Sequence, residues 1–281
     1  MIVNVALTGA VSTKADNPAV PVTPEEIAAD AIACAAEGAS IVHVHVRDEG
    51  GNAVHRQDLY ERTIGPIRDA VPELVICATT SSRVDPDLDS RMTALALAPS
   101  LRPDMASLTL GSFNFPRTVS ANPPDVIVTL LEEMATRGIQ PELEVFELGM
   151  VNTLHGLRDR GLVPDVPYVN ILLGSFGSAP AFASDLGHMV ERLPSGTHWA
   201  AAGIGVYQRP ITMIAAAMGG NVRTGLEDNP KVSADGERWG NVDAVRFAAA
   251  AAKLAGRPVA TAAQTRERLG LSRVAVGIGT A

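Results

Sequence analysis

Short apolar runs alternate with amphipathic segments along the whole chain. The runs are rich in β-branched residues and are continuously apolar, without a strict apolar–polar alternation. That pattern is typical of parallel strands that are covered on both faces. We predict eight strands, at residues 2–8, 41–46, 74–79, 104–110, 142–148, 168–174, 198–203 and 221–226.

Segments with helical periodicity separate these runs. In the clearest, TPEEIAADAIACAAEG, Thr23 can cap the helix, Pro24 suits its first turn, Glu26 completes a capping box and Gly38 can end it. The segment at about 262–270 predicts an extra helix that closes the outer ring of helices. Other helices are predicted near 58–70, 86–97, 124–138, 150–161, 179–192, 208–218 and 241–255.

Eight strand–helix alternations without a break in composition predict one domain over residues 1–281. The economical fold is an α/β fold, a single (βα)8 TIM barrel with a short C-terminal extension. A doubly wound open sheet is the alternative, but the first strand-to-helix loop lacks the GxGxxG fingerprint. Barrel enzymes carry their chemistry on the loops that follow the carboxyl ends of the strands, so candidate residues are tested against that position.

Two histidines lie in the second apolar run, IVHVHVRDEGG. His43 and His45 face the same way on a strand, about 6.5 Å apart, and can converge on one ion. Glu227 and Asp228 follow the eighth run, and in a closed barrel strand eight neighbours strand one, with strand two next. Two imidazoles and one carboxylate with an open position form a catalytic zinc set. The alternative is a pair of packed histidines and an acidic pair that caps a helix.

Charged residues also occur inside the apolar runs. Glu144 lies in the fifth run and Arg223 in the eighth, where each would be costly to bury alone, so we expect them to pair inside the barrel. Arg223 precedes Glu227 by four residues, and a carboxylate beside a guanidinium stays ionised yet can act as a base once water is excluded. A purely structural ion pair is the alternative.

Hydroxyl side chains cluster at two predicted strand ends. Thr79, Thr80 and Ser81 follow the third strand, and Ser107 and Thr109 lie on the fourth. Such groups can bind a carboxylate or an oxyanion by hydrogen bonds. They can equally cap the helices that follow.

Composition narrows the function classes. The chain carries a net charge of −8 with scattered basic residues, which disfavours a nucleic acid partner. No apolar run reaches the roughly 18 residues that span a membrane, and residues 1–10 have no charged region before their apolar run, so we expect neither a membrane span nor a signal peptide. The two cysteines, Cys34 and Cys77, form no disulfide framework and favour buried thiols in a cytoplasmic protein.

Several long motifs resemble those of the β-keto acid cleavage enzymes, the family typified by 3-keto-5-aminohexanoate cleavage enzyme. The resemblance covers nearly the whole chain. It implies a zinc-dependent (βα)8 barrel, usually a homotetramer, that exchanges a β-keto acid and acetyl-CoA for acetoacetate and a new acyl-CoA. The motifs are TGA at 8–10, NPAVPVTPEEIA at 17–28, HVHVRDEGG at 43–51, PELEVFELGM at 141–150, AGIG at 202–205 and GGNVRTGLEDN at 219–229.

The resemblance also implies roles for the candidate residues. Asp228 would take a proton from the carbon between the carboxylate and the ketone, with Arg223 and Glu144 positioning and activating it. Thr79 matches a serine or threonine that assists CoA transfer, and Ser107 matches a hydroxyl residue on strand four. The implied zinc ligands are His43, His45 and Glu227.

One position departs from the family pattern. In relatives that act on amino-bearing keto acids, the residue after TGA is acidic and meets the substrate ammonium, whereas this chain has Val11. An apolar side chain cannot compensate a buried cation, so we expect a substrate with a neutral, apolar tail. We expect Val11, Thr80 and Ser107 to contact this substrate.

Two other functions remain open at this point. A zinc-dependent retro-aldol lyase would use the same zinc and base without CoA, and a non-catalytic binding barrel would not depend on Asp228. Arg47 and Arg83 are candidates for contacts to CoA phosphates, with solvent-facing salt bridges as the alternative.

Overall fold

Eight parallel strands close into a barrel in the computed structural model, which describes residues 1–231 and 238–271. The predicted fold class is confirmed, and the remaining residues of the predicted domain and of its C-terminal extension lie outside the described part. The strands are β1 Val3–Ala6, β2 Ile41–Val44, β3 Val75–Ala78, β4 Met105–Thr109, β5 Gln140–Val145, β6 Tyr168–Leu173, β7 His198–Gly203 and β8 Asn221–Thr224.

Strand order around the ring follows the chain, and β1 closes the barrel between β8 and β2. In the register, Asn4 pairs with Arg223 on one side and with Ile41 on the other. Ala6 pairs with His43 at the carboxyl end of β2. The closure therefore brings the residues that follow β8 close to the histidines of β2.

Helices follow the strands and cover the outside of the barrel. The predicted capping box is present, since Thr23 Oγ1 accepts from the amide of Glu26 and the Glu26 carboxylate accepts from the amide of Thr23. Segment 86–97 is not one helix: a short helix capped by Asp87 is followed by a 3-10 turn at Thr93–Ala96. The helices are α1 Pro24–Ala36, α2 Gln57–Ala70, α3 Leu88–Arg91, α4 Pro124–Arg137, α5 Leu148–Asp159, α6 Ala183–Arg192, α7 Gln208–Ala217, α8 Asn241–Leu254 and α9 Ala262–Leu269.

The extra helix α9 differs from its expected place in the outer ring. Its buried Leu269 packs with residues that begin the strands, including Ile2 and Ile41. Arg266 donates to the carbonyls of Glu73 and Leu74, which precede β3. The helix therefore covers the amino-terminal end of the barrel, opposite the end where the candidate residues lie.

Two short antiparallel hairpins extend the loops at the carboxyl end of the barrel. Val46–Arg47 pairs with Ala53–Val54 after β2, and Phe113–Asn114 pairs with Val119–Ser120 after β4. Within residues 1–231 and 238–271, no helix combines the length and the apolar character that crossing a bilayer requires. The 113–120 hairpin and the loops after β1, β3, β6, β7 and β8 surround the mouth of the barrel.

Candidate active site

A cavity of about 580 Å³ opens at the carboxyl-terminal end of the barrel. The structure gathers nearly all of the predicted site residues there. Thr80 is the exception, because it does not line the cavity and its hydroxyl donates to the carbonyl of Ser107 at 2.5 Å. The predicted residues that line the cavity are Val11, His43, His45, Thr79, Ser107, Glu144, Arg223, Glu227 and Asp228.

The two histidines and Glu227 converge as the strand register predicts. Nε2 of His45 lies 3.4 Å from Oε1 of Glu227, and Nε2 of His43 lies 3.8 Å from Oε2. One possible ligand atom from each residue lies within 4.8 Å of the others. Oε2 of Glu227 is buried and has no hydrogen-bond partner. Two imidazole nitrogens and a carboxylate with an unsatisfied oxygen fit a zinc ion with one open position.

A second group of possible ligands, His43, Cys77 and Glu142, is already satisfied by its own hydrogen bonds. Nδ1 of His43 lies 2.8 Å from Oε2 of Glu142, and the Cys77 thiol donates to the same oxygen at 3.3 Å. Burial raises the pKa of Cys77 well above its ordinary value, which disfavours the thiolate that a metal would need. This group supports His43 rather than forming a second metal site.

Glu142 is the residue that sequence reasoning missed. It is fully buried on β5, and its Oε1 accepts from Nδ2 of Asn4 at 2.5 Å. Although burial opposes ionisation, the charges of His43 and Arg223 and the hydrogen bonds from His43 and Asn4 hold the pKa of Glu142 at about 2. An ionised Glu142 fixes the proton of His43 on Nδ1 and leaves the lone pair of Nε2 for the cavity. The signal was present, because Glu142 and Glu144 are two apart on one strand and share a face.

Arg223 lies at the centre of four carboxylates. Its guanidinium is 3.0 Å from Glu227, 3.1 Å from Asp228, 3.3 Å from Glu144 and 3.6 Å from Glu142. The expected pairing of Glu144 with Arg223 is therefore present. Burial alone would lower the pKa of Arg223, but the surrounding carboxylates raise it well above its ordinary value. The arginine is thus a fixed positive charge that holds the acids in place.

The carboxylates around Arg223 differ in their ionisation. Burial raises the pKa of Glu144 and of Asp228, and in both cases Arg223 acts against the rise. Burial also disfavours ionised Glu227, but His45 and Arg223 outweigh it and place its pKa well below the ordinary value. Glu227 therefore has the character of a permanently charged ligand. Asp228 has the character of a base that can accept a proton.

Hydroxyl groups complete the wall opposite Arg223. Thr79 lines the cavity and its Oγ1 accepts from the amide of Ser81 at 3.1 Å. Thr109 donates to Oε2 of Glu144 at 2.7 Å, which fixes that carboxylate. Ser107 faces the cavity and its Oγ accepts weakly, at 3.4 Å, from the amide of Thr80. Thr79 and Ser107 each keep a hydroxyl hydrogen for a ligand.

The loop after β1 approaches the site closely. Gly9 has φ +65°, and a Cβ there would lie 2.6 Å from Cγ of Glu227, so this position requires glycine. Arg47 holds the loop, since its guanidinium donates to the carbonyls of Gly9 at 2.9 Å and Ser12 at 2.6 Å. Val11 projects from the anchored loop at the rim of the cavity and is 59% exposed.

The other histidines lie away from the cavity. His55 is buried behind it, with Nδ1 3.3 Å from the Tyr60 hydroxyl and Nε2 3.2 Å from the carbonyl of Ser81. Burial lowers the pKa of His55 to about 4. Charges on His45, Arg91 and Asp85 also act on it, the first two lowering and the last raising its pKa. The remaining three histidines lie on α5, on α6 and at the start of β7. They are His155, His188 and His198.

The fold and the cavity define a (βα)8 barrel enzyme with a carboxylate-rich site. Residues 1–271 match the family described as beta-keto acid cleavage enzyme, and the chain belongs to that family. The chain is 36% identical over 273 residues to 3-oxoadipate:acetyl-CoA acetyltransferase of Cupriavidus necator. This match covers 96% of this chain and 94% of that protein. It is 34% identical over 276 residues to 3-keto-5-aminohexanoate cleavage enzyme of Fusobacterium nucleatum, covering 97% of this chain and 98% of that protein.

Solved structures agree with the fold. The apo structure of ObcA superposes with a TM-score of 0.81 at 22% identity, over 92% of this chain and 66% of the ObcA chain. A 3-dehydroquinate dehydratase from Geobacillus kaustophilus superposes with a TM-score of 0.56 at 11% identity, over 91% of this chain and 92% of that one. At such identities the likeness establishes the barrel architecture alone.

Proposed function

We propose that this protein is a zinc-dependent enzyme that condenses a β-keto acid with acetyl-CoA and yields acetoacetate and a new acyl-CoA. The observation that carries the proposal is the meeting of His43, His45 and Glu227 with Asp228 in one cavity. Family membership and the relatives named for acetyl-CoA-dependent reactions support it.

His43, His45 and Glu227 would hold the zinc ion. A zinc ion bound there would supply positive charge that makes the hydrogen between the substrate's carboxylate and ketone more acidic. Glu142 would keep His43 in the tautomer that presents Nε2. Glu227 would remain charged because of its neighbours His45 and Arg223.

Asp228 would act as the general base. Its carboxylate accepts from Nε of Arg223 at 3.1 Å and from Nη2 at 3.4 Å, so its orientation is fixed. Burial raises the pKa of Asp228, which favours the uptake of a proton, and Arg223 acts against that rise and favours the ionised carboxylate. Glu144 and Thr109 would hold Arg223 on its other side.

The proposed reaction balances without a further reactant. Asp228 takes a proton from C2 of the keto acid, and C2 then forms a bond to the acetyl carbon of acetyl-CoA while the CoA sulfur leaves. The sulfur adds to the former ketone carbon, and the bond between that carbon and C2 breaks. C2 regains the proton from Asp228, which gives acetoacetate and the new acyl-CoA. Thr79 and Ser107 would donate hydrogen bonds to the oxygens that become negative during these steps.

The substrate tail is proposed to be uncharged. Val11 lies at the rim, and other apolar side chains line the cavity, among them Phe146, Leu172 and Val206. Asp16 also lines the cavity, but it is exposed and its Oδ2 accepts from the amide and hydroxyl of Thr13. An apolar wall stabilises an apolar tail and leaves an ammonium group unpaired.

The assembly and location of the enzyme are part of the proposal. We propose a homotetramer, as the family resemblance implies, and exposed apolar side chains such as Phe182 and Leu254 would support burial between subunits. We propose a cytoplasmic protein, consistent with two free and buried cysteines. Light scattering on the purified protein would test the tetramer, and a monomer would contradict it.

The function is tested with a panel of β-keto acids on protein of measured zinc content. The assay couples acetoacetate release to a chromogenic readout, with and without acetyl-CoA. Turnover that requires both zinc and acetyl-CoA, and that is fastest with uncharged tails, is expected. Cleavage without acetyl-CoA would instead indicate a retro-aldol lyase, and fastest turnover of a cationic keto acid would refute the proposed tail.

A further inference from the structure

Arg83 lines the cavity, and no described residue forms an ion pair with it. It follows β3 and is partly buried, and its guanidinium carbon lies 3.6 Å from the centroid of the Phe115 ring. Within residues 1–231 and 238–271, its side chain forms no hydrogen bond or ion pair, and its buried Nε is without a partner. Burial lowers the pKa of Arg83, yet a guanidinium remains charged at neutral pH. Arg83 is therefore a partly desolvated cation at the cavity whose charge no described residue pairs.

Other buried arginines of the described chain contrast with Arg83. Arg68 is paired with Asp104 at 2.8 Å. Arg91 donates to the Oδ1 of Asn122 at 2.7 Å and to a backbone carbonyl. Because burying an unpaired charge is unfavourable, protein acceptors bind the terminal nitrogens or Nε of these two arginines. An exception at the mouth of the substrate cavity indicates that a ligand supplies the missing partner.

Arg47, the second candidate from the sequence, does not share this property. It is buried, and its guanidinium donates to the carbonyls of Thr8, Gly9, Ser12 and Gly51. Those bonds anchor the loop after β1 and engage both terminal nitrogens. Neither arginine forms, with a described residue, the solvent-facing salt bridge that was the alternative. Of the two, Arg83 is the one whose guanidinium donors are not used by these residues.

We propose that Arg83 binds an anionic oxygen group of the reacting pair through its guanidinium fork. The group is either a second carboxylate at the far end of the keto acid or a phosphate of CoA. Both present two oxygens that match the fork in a bidentate arrangement. The ring of Phe115, 3.6 Å from the guanidinium carbon, restricts the position of the Arg83 side chain, and no described residue uses its terminal nitrogens. The inference rests on the proposed reaction, not on the uncharged tail proposed with it, and names a further contact of the same cavity.

The test compares Arg83→Gln and Arg83→Lys with wild type in the acetoacetate assay. A matched control is Arg117→Gln, since Arg117 is an exposed arginine in the neighbouring 113–120 hairpin and does not line the cavity. Two substrate pairs separate the sources of the anion. The first is 3-oxoadipate against 3-oxohexanoate, which share a chain length and differ in the terminal carboxylate. The second is acetyl-CoA against S-acetylpantetheine, which lacks the phosphates.

We expect Arg83→Gln to lower kcat/KM by about 10- to 100-fold for the substrate that carries the anion, through KM, and to leave its uncharged partner within about threefold. Loss confined to 3-oxoadipate assigns the carboxylate and replaces the uncharged tail proposed above. Loss confined to acetyl-CoA assigns the phosphate. Equal behaviour of Arg83→Gln and Arg117→Gln with all four substrates would overturn the inference.

A binding measurement keeps this inference separate from the proposed function. If wild type releases no acetoacetate from any keto acid, the proposed reaction fails. Calorimetric titration of wild type and Arg83→Gln with 3-oxoadipate and with CoA then decides the role of Arg83. Weaker binding of either ligand to the variant supports the inference, and unchanged or absent binding of both overturns it.

Discussion

Replacing Glu142 with glutamine is expected to weaken zinc binding although Glu142 is not proposed as a ligand. Its Oε2 accepts from Nδ1 of His43 at 2.8 Å, and its Oε1 accepts from Asn4 at 2.5 Å. Glutamine has one acceptor oxygen and one donor NH2 group in place of two acceptors. Oδ1 of Asn4 has no partner, so Asn4 can rotate its amide and accept from the new NH2 group. The variant can therefore keep its fold, with a neutral acceptor for His43.

The size of the effect follows from that exchange. Hydrogen bonds to a charged partner contribute about 1.5–3 kcal/mol and neutral ones about 0.5–1.5 kcal/mol. The difference of roughly 1–1.5 kcal/mol corresponds to about a tenfold weaker zinc affinity. Glu142→Ala leaves the His43 Nδ1 proton without an acceptor, and we expect a loss nearer to 100-fold, the upper end of about 10- to 100-fold for such outer-shell partners.

The assay is the zinc dissociation constant, measured by competition with a chromogenic chelator well below the unfolding temperature. Glu132→Gln removes an exposed carboxylate of α4 and serves as the control for a general change in charge. The expected order of zinc affinity is wild type and Glu132→Gln, then Glu142→Gln, then Glu142→Ala. If folded Glu142→Gln bound zinc as tightly as wild type, the assigned role in orienting His43 would be wrong.

Further outcomes follow from other residues. Asp228→Asn should lower kcat by at least about 100-fold with zinc content unchanged by mass spectrometry, and a fully active variant would remove Asp228 as the base. Gly9→Ala should weaken zinc binding, because a Cβ at position 9 would lie 2.6 Å from Cγ of Glu227. The control is Gly138→Ala, which has a similar φ of +67° and nothing within 4 Å of its Cβ, so it introduces the backbone strain without the clash. Equal zinc affinity of the two variants would contradict the argument. His55 has a pKa of about 4 when folded and an ordinary value of 6.5, so the unfolded chain binds more protons between these limits and stability falls as pH drops through them. Urea titrations should show a His55→Gln variant losing roughly 3 kcal/mol less than wild type from pH 7 to pH 4, and parallel losses in the two proteins would exclude His55 as the cause.

The fold was predictable from the sequence because continuously apolar runs mark parallel strands that are buried on both faces. The ends of the strands were less predictable. The eighth run was predicted at 221–226, but β8 ends at Thr224, where Gly225 adopts φ +128° and turns the chain. Leu226, just beyond that turn, is still apolar, and hydropathy does not show where the hydrogen bonds between strands stop. The position of α9 depends on contacts with strand starts distant in the sequence, which no local pattern contains.

The site was predictable where barrel geometry alone brings residues together. His43, His45 and Glu227 meet because β1 closes the ring between β8 and β2. The different contacts of Arg47 and Arg83 could not be predicted from the sequence, since each arginine follows a barrel strand and lies near the mouth. Their difference depends on which carbonyls and rings lie nearby, and that is decided by loop conformation.

Because Arg47 anchors the loop after β1, the conformation of the loop backbone does not depend on the side chain at position 11. The backbone path from Gly9 to Ser12 is held by carbonyl contacts to a buried guanidinium, whereas Val11 contributes only its exposed side chain to the rim. Charge and size at position 11 can therefore change during divergence while the loop backbone beside Glu227 keeps its path. Under the proposed function, exchanging this one residue would change the substrate preference and leave the proposed catalytic residues in place.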